Sequence, residues 1–589
     1  LVITATLAGP IPPTVTTATA ATSTEADPEF RTLSAHYIDM VARLSPINAT
    51  QLGDHRFDDK MDDLSAAGRS RRMTEDKAML AALDKIDRSA LNRDDQVDAA
   101  VLANAIRFEI WDTETLQSWA WDAQVYNDAA AGALYSLAAR DFAPWPQRLK
   151  SATARMEALP ALIAEGRKEL VPARVPAIFA TTVAKQNAGI MEIANSMLAP
   201  HASELSGAER ARFDAALAGL KTAVDDQQHW LETVLIPQAK GDFRLGAKLY
   251  DEKMRFALMS PLTRADLKQR AIAAMADIRA QMYAIARQVL AGQAGAPATP
   301  DNPSADQQQT AIETALALTY AQRPARGELE QKGRAALSQA TAFVREKDLA
   351  TMPQAPVRII TMPKFQQGNS VAYCDPPGAL DRGQETFVAI SPIPDDWSDT
   401  QATSFLSEYN DYMVQDLLVH EAMPGHYLQL DHANRSSSTL RAVLFSSPFA
   451  EGWAVYAEGM MADQGYMAGD PLFKLTVLKM RLRSTANTLL DIGIHTEGMT
   501  REQAMDLMTK TAFQQEREAA GKWVRANLSS VQLLSYFTGY TEHMQMREEA
   551  KRRWGAGFTL KGYNDAVLAH GTPPTKFVRE LLFDLPIEQ

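Results

Sequence analysis

The sequence predicts a mainly α-helical protein with one small antiparallel β-sheet and a deep cleft between two helical lobes. Three observations carry this. From about position 30 to 349, apolar residues recur at helical spacing in long runs rich in Ala, Leu and Met. Between Ala355 and Trp397 the character changes: VRIIT at Val357–Thr361, a run at 370–374 and TFVAI at Thr386–Ile390 read as strands. Pro376-Pro377-Gly378 and Asp381-Arg382-Gly383 punctuate them as turns. After Trp397 the helical spacing returns and continues to the end.

Taken in order, 30–44 is a helix that stops at Ser45-Pro46, because the residue before Pro is pushed out of the helical region. GDHRFDDKMDDLS at 53–65 lacks the ligand order and terminal Glu of an EF-hand. It reads as a structural loop with Arg56 paired to nearby Asp residues. Helices follow at 71–86 and 93–113. The stretch 116–143 carries Trp119, Trp121, Tyr126 and Tyr135, aromatics suited to core packing or to a cleft wall. Further helices are expected at 144–166, 180–198, 207–235, Arg264–Leu290, 310–319 and 325–347. The stretch 241–259 is expected to be a loop dipping toward the site, and Gly/Pro-rich 291–305 a surface loop. Beyond the strands, helices are expected at 411–422, 438–461, 472–494, 501–516, 518–526, 532–553, 560–569 and 573–582. The domain reading is a leader remnant and disordered tail at 1–29, an N-terminal helical lobe at 30–350 and a catalytic lobe at 351–589, the lobes sharing one core.

Composition excludes several classes. The net charge is −12 with no basic stripe, which argues against nucleic acid or an anionic membrane surface as partner. Cys374 is the single cysteine, so no intramolecular disulfide forms, and it lies in no nucleophile motif. No segment is long and apolar enough to span a membrane. Residues 1–9 read as the tail of a signal peptide's apolar region, and 10–24 as a Pro/Thr/Ala-rich disordered stretch. Export to the periplasm or cell surface is the expectation.

The chemistry concentrates at 417–431, LLVHEAMPGHYLQLD. Two imidazoles, His420 and His426, can bind a metal, and Glu421 beside the first can take a proton from an activated water. The two His are six apart, about 600° round a straight helix and so roughly 120° out of line. Pro424 and Gly425 stand before His426 and allow a bend at 423–425 that brings it back toward His420. Downstream, SPFAEGWAVYAEG at 447–459 puts Glu451 and Glu458 seven apart on one face of an otherwise apolar helix. A carboxylate there suits a third metal ligand.

His420-Glu421-x-x-Pro424-Gly425-His426, with Gln429 and then Glu451-Gly452-Trp453-Ala454-x-Tyr456-x-Glu458, resembles the domain of unknown function 885 family. The resemblance extends to Ser45-Pro46, to Leu52-Gly53-Asp54-x-Arg56-Phe57-Asp58-Asp59, and to Tyr536-x-x-Gly539 with Arg547. It implies a largely helical bacterial protein with a zincin-like metallopeptidase core, one Zn²⁺ per chain and a peptide substrate. It assigns His420, His426 and Glu451 to the metal and Glu421 to the role of general base, and it puts Tyr536 near the metal. A Tyr hydroxyl there can stabilise the oxyanion, with Tyr540 as its rival. Glu458, Gln429, Arg547 and Tyr373 are candidates for supporting these groups or contacting substrate; Glu458 is expected to orient an imidazole. The chain departs from the family pattern at Ser530-Val531-Gln532, where Pro-Gly-Gln is usual, and at Asn564, where a His is common. The expected function is zinc-dependent hydrolysis of a peptide bond. The alternatives are hydrolysis of a non-peptide amide, or a catalytically silent binding protein.

Overall fold

The computed structural model describes residues 27–363, 371–395, 397–436 and 438–588. Residues 1–26, most of the expected leader and tail, lie outside the described residues, as does Ser370 of the second expected strand. The first helix, Pro28–Leu44, begins inside the segment expected to be tail. Asp27 caps it, accepting from the backbone N–H groups of Glu29 and Phe30, and Pro28 occupies the first turn, where no N–H donor is needed.

Helices dominate, and several of the buried apolar clusters draw residues from both ends of the chain. Met275, Ile278 and Met282 of Arg264–Leu290 pack with Leu475, Leu478 and Leu482 of Pro471–Glu497. Leu440 packs among Phe30, Met40 and Leu102, and Phe577 sits against Val97 and Val101. Each such side chain, fully buried, stabilises by about 1.5–3 kcal/mol. Residues before and after position 350 therefore hold each other in place.

Several expected elements differ: the helix expected at 180–198 breaks at Asn187 into Ala177–Gln186 and Ala188–Ile193, and the one expected at 501–516 ends at Thr511. The stretch 241–259 is a helix over Gly246–Leu258, and Tyr250 on it donates to Asp491 Oδ1 at 2.6 Å. The hydroxyl thereby anchors this helix to Pro471–Glu497, away from the cavity described below. The single helix expected at 438–461 is two, Thr439–Val443 and Ser447–Asp463. The cause is local: Pro448 in the first turn of the second helix cannot continue an earlier one, and Ser446 caps the new start through the Phe449 N–H.

The sheet has three strands, β1 (Val357–Thr361), β2 (Ala372–Asp375) and β3 (Thr386–Ile390). It is mixed, not antiparallel as expected: the order is β1-β3-β2, β2 pairs antiparallel with β3, and β1 pairs parallel with it. The turn residues between β2 and β3 close a hairpin. The alternation of apolar residues says which face each one takes and not which strand lies alongside, so it does not determine that β1 sits on the far side of β3. β3 is central and buried throughout, and β2 is an edge strand.

Candidate metal centre

The helix Asp411–Glu421 is started by Asn410, whose side chain accepts from the N–H groups of Tyr412 and Met413, and it ends at Glu421. A new helix, His426–Ala433, starts after four intervening residues. Between them the Met423–Pro424 peptide is cis. Gly425 tucks against the end of the first helix: a Cβ there would stand 1.9 Å from the His420 carbonyl oxygen and 2.3 Å from that of Val419. Only glycine permits this approach. Trp453, fully buried, donates its indole N–H to the Pro424 carbonyl at 2.9 Å, tying the bend to the helix that carries Glu451.

The bend brings the two imidazoles to 4.8 Å between ring centroids, with their planes nearly perpendicular. Glu451 Oε2 lies 3.6 Å from His420 Nε2 and 3.5 Å from His426 Nε2. One ligand atom from each of the three residues lies within 4.8 Å of the other two. Glu451 Oε2 is buried and accepts no hydrogen bond. His420 Nδ1 is bound to Glu458 Oε1 at 2.6 Å. If that nitrogen carries the donated proton, Nε2 is left as a lone pair facing the Glu451 oxygen, an arrangement that calls for a cation between them. Two nitrogens and one carboxylate oxygen are the donor set that zinc takes, so these residues fit such an ion.

The electrostatics show how strongly this point favours positive charge. Burial works against a charged His420, yet Glu451 and Glu458 raise its pKa well above the usual value. Burial also works against a charged Glu451, yet the two imidazoles hold its carboxyl far below the usual carboxylate range. Asp416, one turn before His420, has its pKa pushed well up by burial and by Glu458. Glu458 is 2% exposed and reaches His420 alone of the two rings. Glu458→Gln keeps the shape but weakens this charge-assisted bond. It is expected to cost about 10–100-fold in zinc affinity or turnover; metal titration by competition with a chelator checks this, and unaltered affinity and rate would remove the orienting role.

Glu421 is not part of the three-residue cluster. Its Oε2 accepts the backbone N–H of Cys374 on β2 at 3.0 Å, so the edge strand holds it in place. Removal from bulk water raises its pKa, the two imidazoles lower it, and Glu451 raises it again; the net shift is upward, toward that of an effective base. All these groups open on a cavity of about 1310 Å³, whose wall also includes Tyr373, Trp397, Lys522 and Tyr536.

Tyr536 lies on the helix Leu534–Trp554 and accepts from Arg525 at 3.1 Å. Since a guanidinium can only donate, the Tyr536 proton is left to point elsewhere. Burial first, then Glu451, pushes the phenol pKa up, which keeps it a neutral donor. This helix crosses Ser447–Asp463 with nothing between the backbones. A Cβ on Gly452 would meet the Gly539 carbonyl carbon at 2.2 Å, and one on Gly539 would meet the Pro448 carbonyl oxygen at 1.8 Å.

The remaining candidates are dispersed. Tyr373 is on the cavity wall, and its hydroxyl shares a hydrogen bond with Tyr135. Tyr540 faces Arg481, whose guanidinium stands 4.7 Å from the ring centre, and it is not on the cavity wall. Arg547 stands 5.7 Å over the Tyr456 ring, also off the wall. Gln429 is fully buried and donates to Thr572 Oγ1 at 2.9 Å, joining the His426–Ala433 helix to the connection between Leu560–Leu568 and Thr575–Leu582.

Over residues 46–582 the chain matches the family described as bacterial protein of unknown function (DUF885). The chain belongs to that family. A solved structure from Shewanella oneidensis, described as a candidate lipoprotein of unknown function, is similar to this DUF885 protein at 32% identity. Its TM-score is 0.78, and the match covers 94% of this chain and 99% of that one. A second, from Colwellia psychrerythraea and described as a candidate lipoprotein, has 16% identity and a TM-score of 0.76 over the same shares, a likeness of fold. No curated protein matches.

Three features of this DUF885 protein's site escape sequence reasoning: the Cys374 N–H, Lys522 and Arg525. A backbone donor has no residue-type signature. EREAAGKWVRANL, which carries both cations, has the charge spacing of an ordinary solvated helix face. Its only signal is that Lys522 and Arg525 stand one turn apart.

Proposed function

We propose that this protein is a zinc-dependent peptidase with a zincin-like catalytic core. The carrying observation is the convergence of His420 Nε2, His426 Nε2 and a buried, unpartnered Glu451 oxygen on one point, with Glu421 beside them on a cavity large enough for a peptide. Bound there, zinc would polarise the scissile carbonyl and make water acidic enough to be deprotonated near neutral pH. Glu421 takes one proton from the attacking water and returns it to the leaving nitrogen. A C–O bond forms, the C–N bond breaks, and the products are a carboxylic acid and an amine. Tyr536 offers its hydroxyl to the oxygen on which negative charge develops. Glu458 fixes the His420 ring, and Cys374 N–H fixes Glu421.

Export belongs to the same reading. It is supported by the Shewanella relative, described as a candidate lipoprotein. Among the described residues no helix is long and apolar enough to cross a membrane.

Metal analysis of purified protein tests the centre. The expected result is one zinc per chain in the parent and loss of most of it in His426→Ala and in Glu451→Ala. Retention of stoichiometric zinc by both variants would overturn the assignment.

A further inference from the structure

On the helix Glu516–Leu528 the cavity wall presents three basic side chains, Arg517, Lys522 and Arg525, against one carboxylate, Glu518. Glu518 is fully used: one oxygen pairs with Arg483, and the other accepts from the Tyr409 hydroxyl at 3.1 Å. Lys522, one turn on, is 5% exposed, lies on the cavity wall and has no hydrogen-bond or ion-pair partner among the described residues. With no acceptor in reach among those residues, its Nζ opens on the cavity as an unpartnered donor, and a carboxylate bound there would supply both the acceptor and the opposite charge that favours the ammonium form. Arg525, a further turn along, donates only to neutral oxygens, those of Gln532 and Tyr536, both through one terminal nitrogen. Burial, then Arg483 and Arg525, push the Lys522 pKa well down, while Glu518 and Glu451 act the other way. Tyr536 first, and Glu451 to a lesser degree, raise the Arg525 pKa against burial. Lys522 and Arg525 thus share a cavity wall with the metal centre, and Arg525 stands next to the Tyr536 hydroxyl.

We propose that Lys522 and Arg525 bind the α-carboxylate at the C terminus of a peptide, so that the enzyme releases short fragments from that end. This rests on the peptidase reading above. A carboxylate matches the paired donors of a guanidinium plus one ammonium. The position beside the reacting bond favours the terminus, which every peptide carries, over an acidic side chain, which only some peptides carry at the required place.

The test compares three libraries of N-acetylated, otherwise randomised hexapeptides: free acids, C-terminal amides, and amides with one fixed Asp or Glu. Mass spectrometry reads the cleavage position. The parent enzyme is expected to cut the free acids near the C terminus about 10²-fold faster than the amides. Lys522→Met should lose most of that preference with zinc content unchanged, and Lys522→Arg should recover part of it. Equal cleavage of acids and amides would overturn the proposal and leave the peptidase reading standing. Recovery of activity on the acidic amides would assign the site to a side-chain carboxylate and also overturn it. Equilibrium dialysis of the acid and amide libraries against Glu421→Gln protein reads the same site without turnover. Acid-selective binding that Lys522→Met removes upholds the carboxylate site even if the parent cleaves nothing, whereas equal binding refutes it.

Discussion

Replacing Glu421 by Gln is expected to lower kcat by about 10²–10⁴-fold while leaving the zinc content of the protein unchanged. The geometry makes this substitution informative. Glu421 Oε2 accepts the Cys374 N–H, and a Gln carbonyl oxygen can accept the same bond. The side chain is thus held where it was, with an amide in place of the group that would take the proton. Glu421 also stands outside the set of three ligand atoms, so the metal should not sense the change directly. Metal analysis and peptide-hydrolysis rates on the same preparation check both halves. Loss of zinc in this variant would mean that Glu421 coordinates the ion and would remove it from the role of base.

Tyr536→Phe is expected to lower kcat by about 10²–10³-fold, the usual cost of one oxyanion donor. Zinc content and thermal midpoint should stay close to those of the parent, because the ring remains and only an oxygen at the cavity wall is removed. The Arg525 guanidinium loses one neutral acceptor and keeps Gln532. Tyr540→Phe is the control: that hydroxyl is off the cavity wall and its ring faces Arg481, so its turnover should match the parent's. If Tyr536→Phe is fully active while Tyr540→Phe is crippled, the donor is Tyr540. Full activity in both would place oxyanion stabilisation with a different group.

What was readable in the chain follows from where the information is local. Arg264–Leu290, Val357–Thr361 and Thr386–Ile390 have the bounds that their apolar spacing and flanking turn residues suggest, since both signals act within a few residues. The break between His420 and His426 was readable because Pro and Gly are the two residues whose backbone preferences differ most from the rest. The parallel pairing of β1 with β3 was not, because a period of two says which face a residue takes and nothing about its neighbour strand. The split at Ser446 was missed although Ser-Ser-Pro is a helix-start signature, since the apolar spacing runs on through it. Spacing put Glu451 and Glu458 on one face, and only packing separates the residue beside both imidazoles from the one that reaches a single ring from behind. Lys522 and Arg525 were invisible as site residues because a helix face toward a water-filled cavity and one toward bulk solvent have the same composition.

The Gly452–Gly539 crossing has a mechanical consequence. Glu451 adjoins one glycine, and Tyr536 stands one turn before the other. Where two helices touch through side chains, rotamer changes let them slide by fractions of an ångström. Here main chain rests on main chain, so that cushion is absent. The carboxylate and the phenol ride on what is in effect a single strut, and their separation is insensitive to what fills the cavity. Any widening or narrowing around a ligand must then be taken up by the facing parts of the wall, the β2 edge and the Glu516–Leu528 helix. The wall can adapt to a ligand, and β2 carries Glu421 with it through the Cys374 N–H, while Glu451 and Tyr536 keep a fixed spacing.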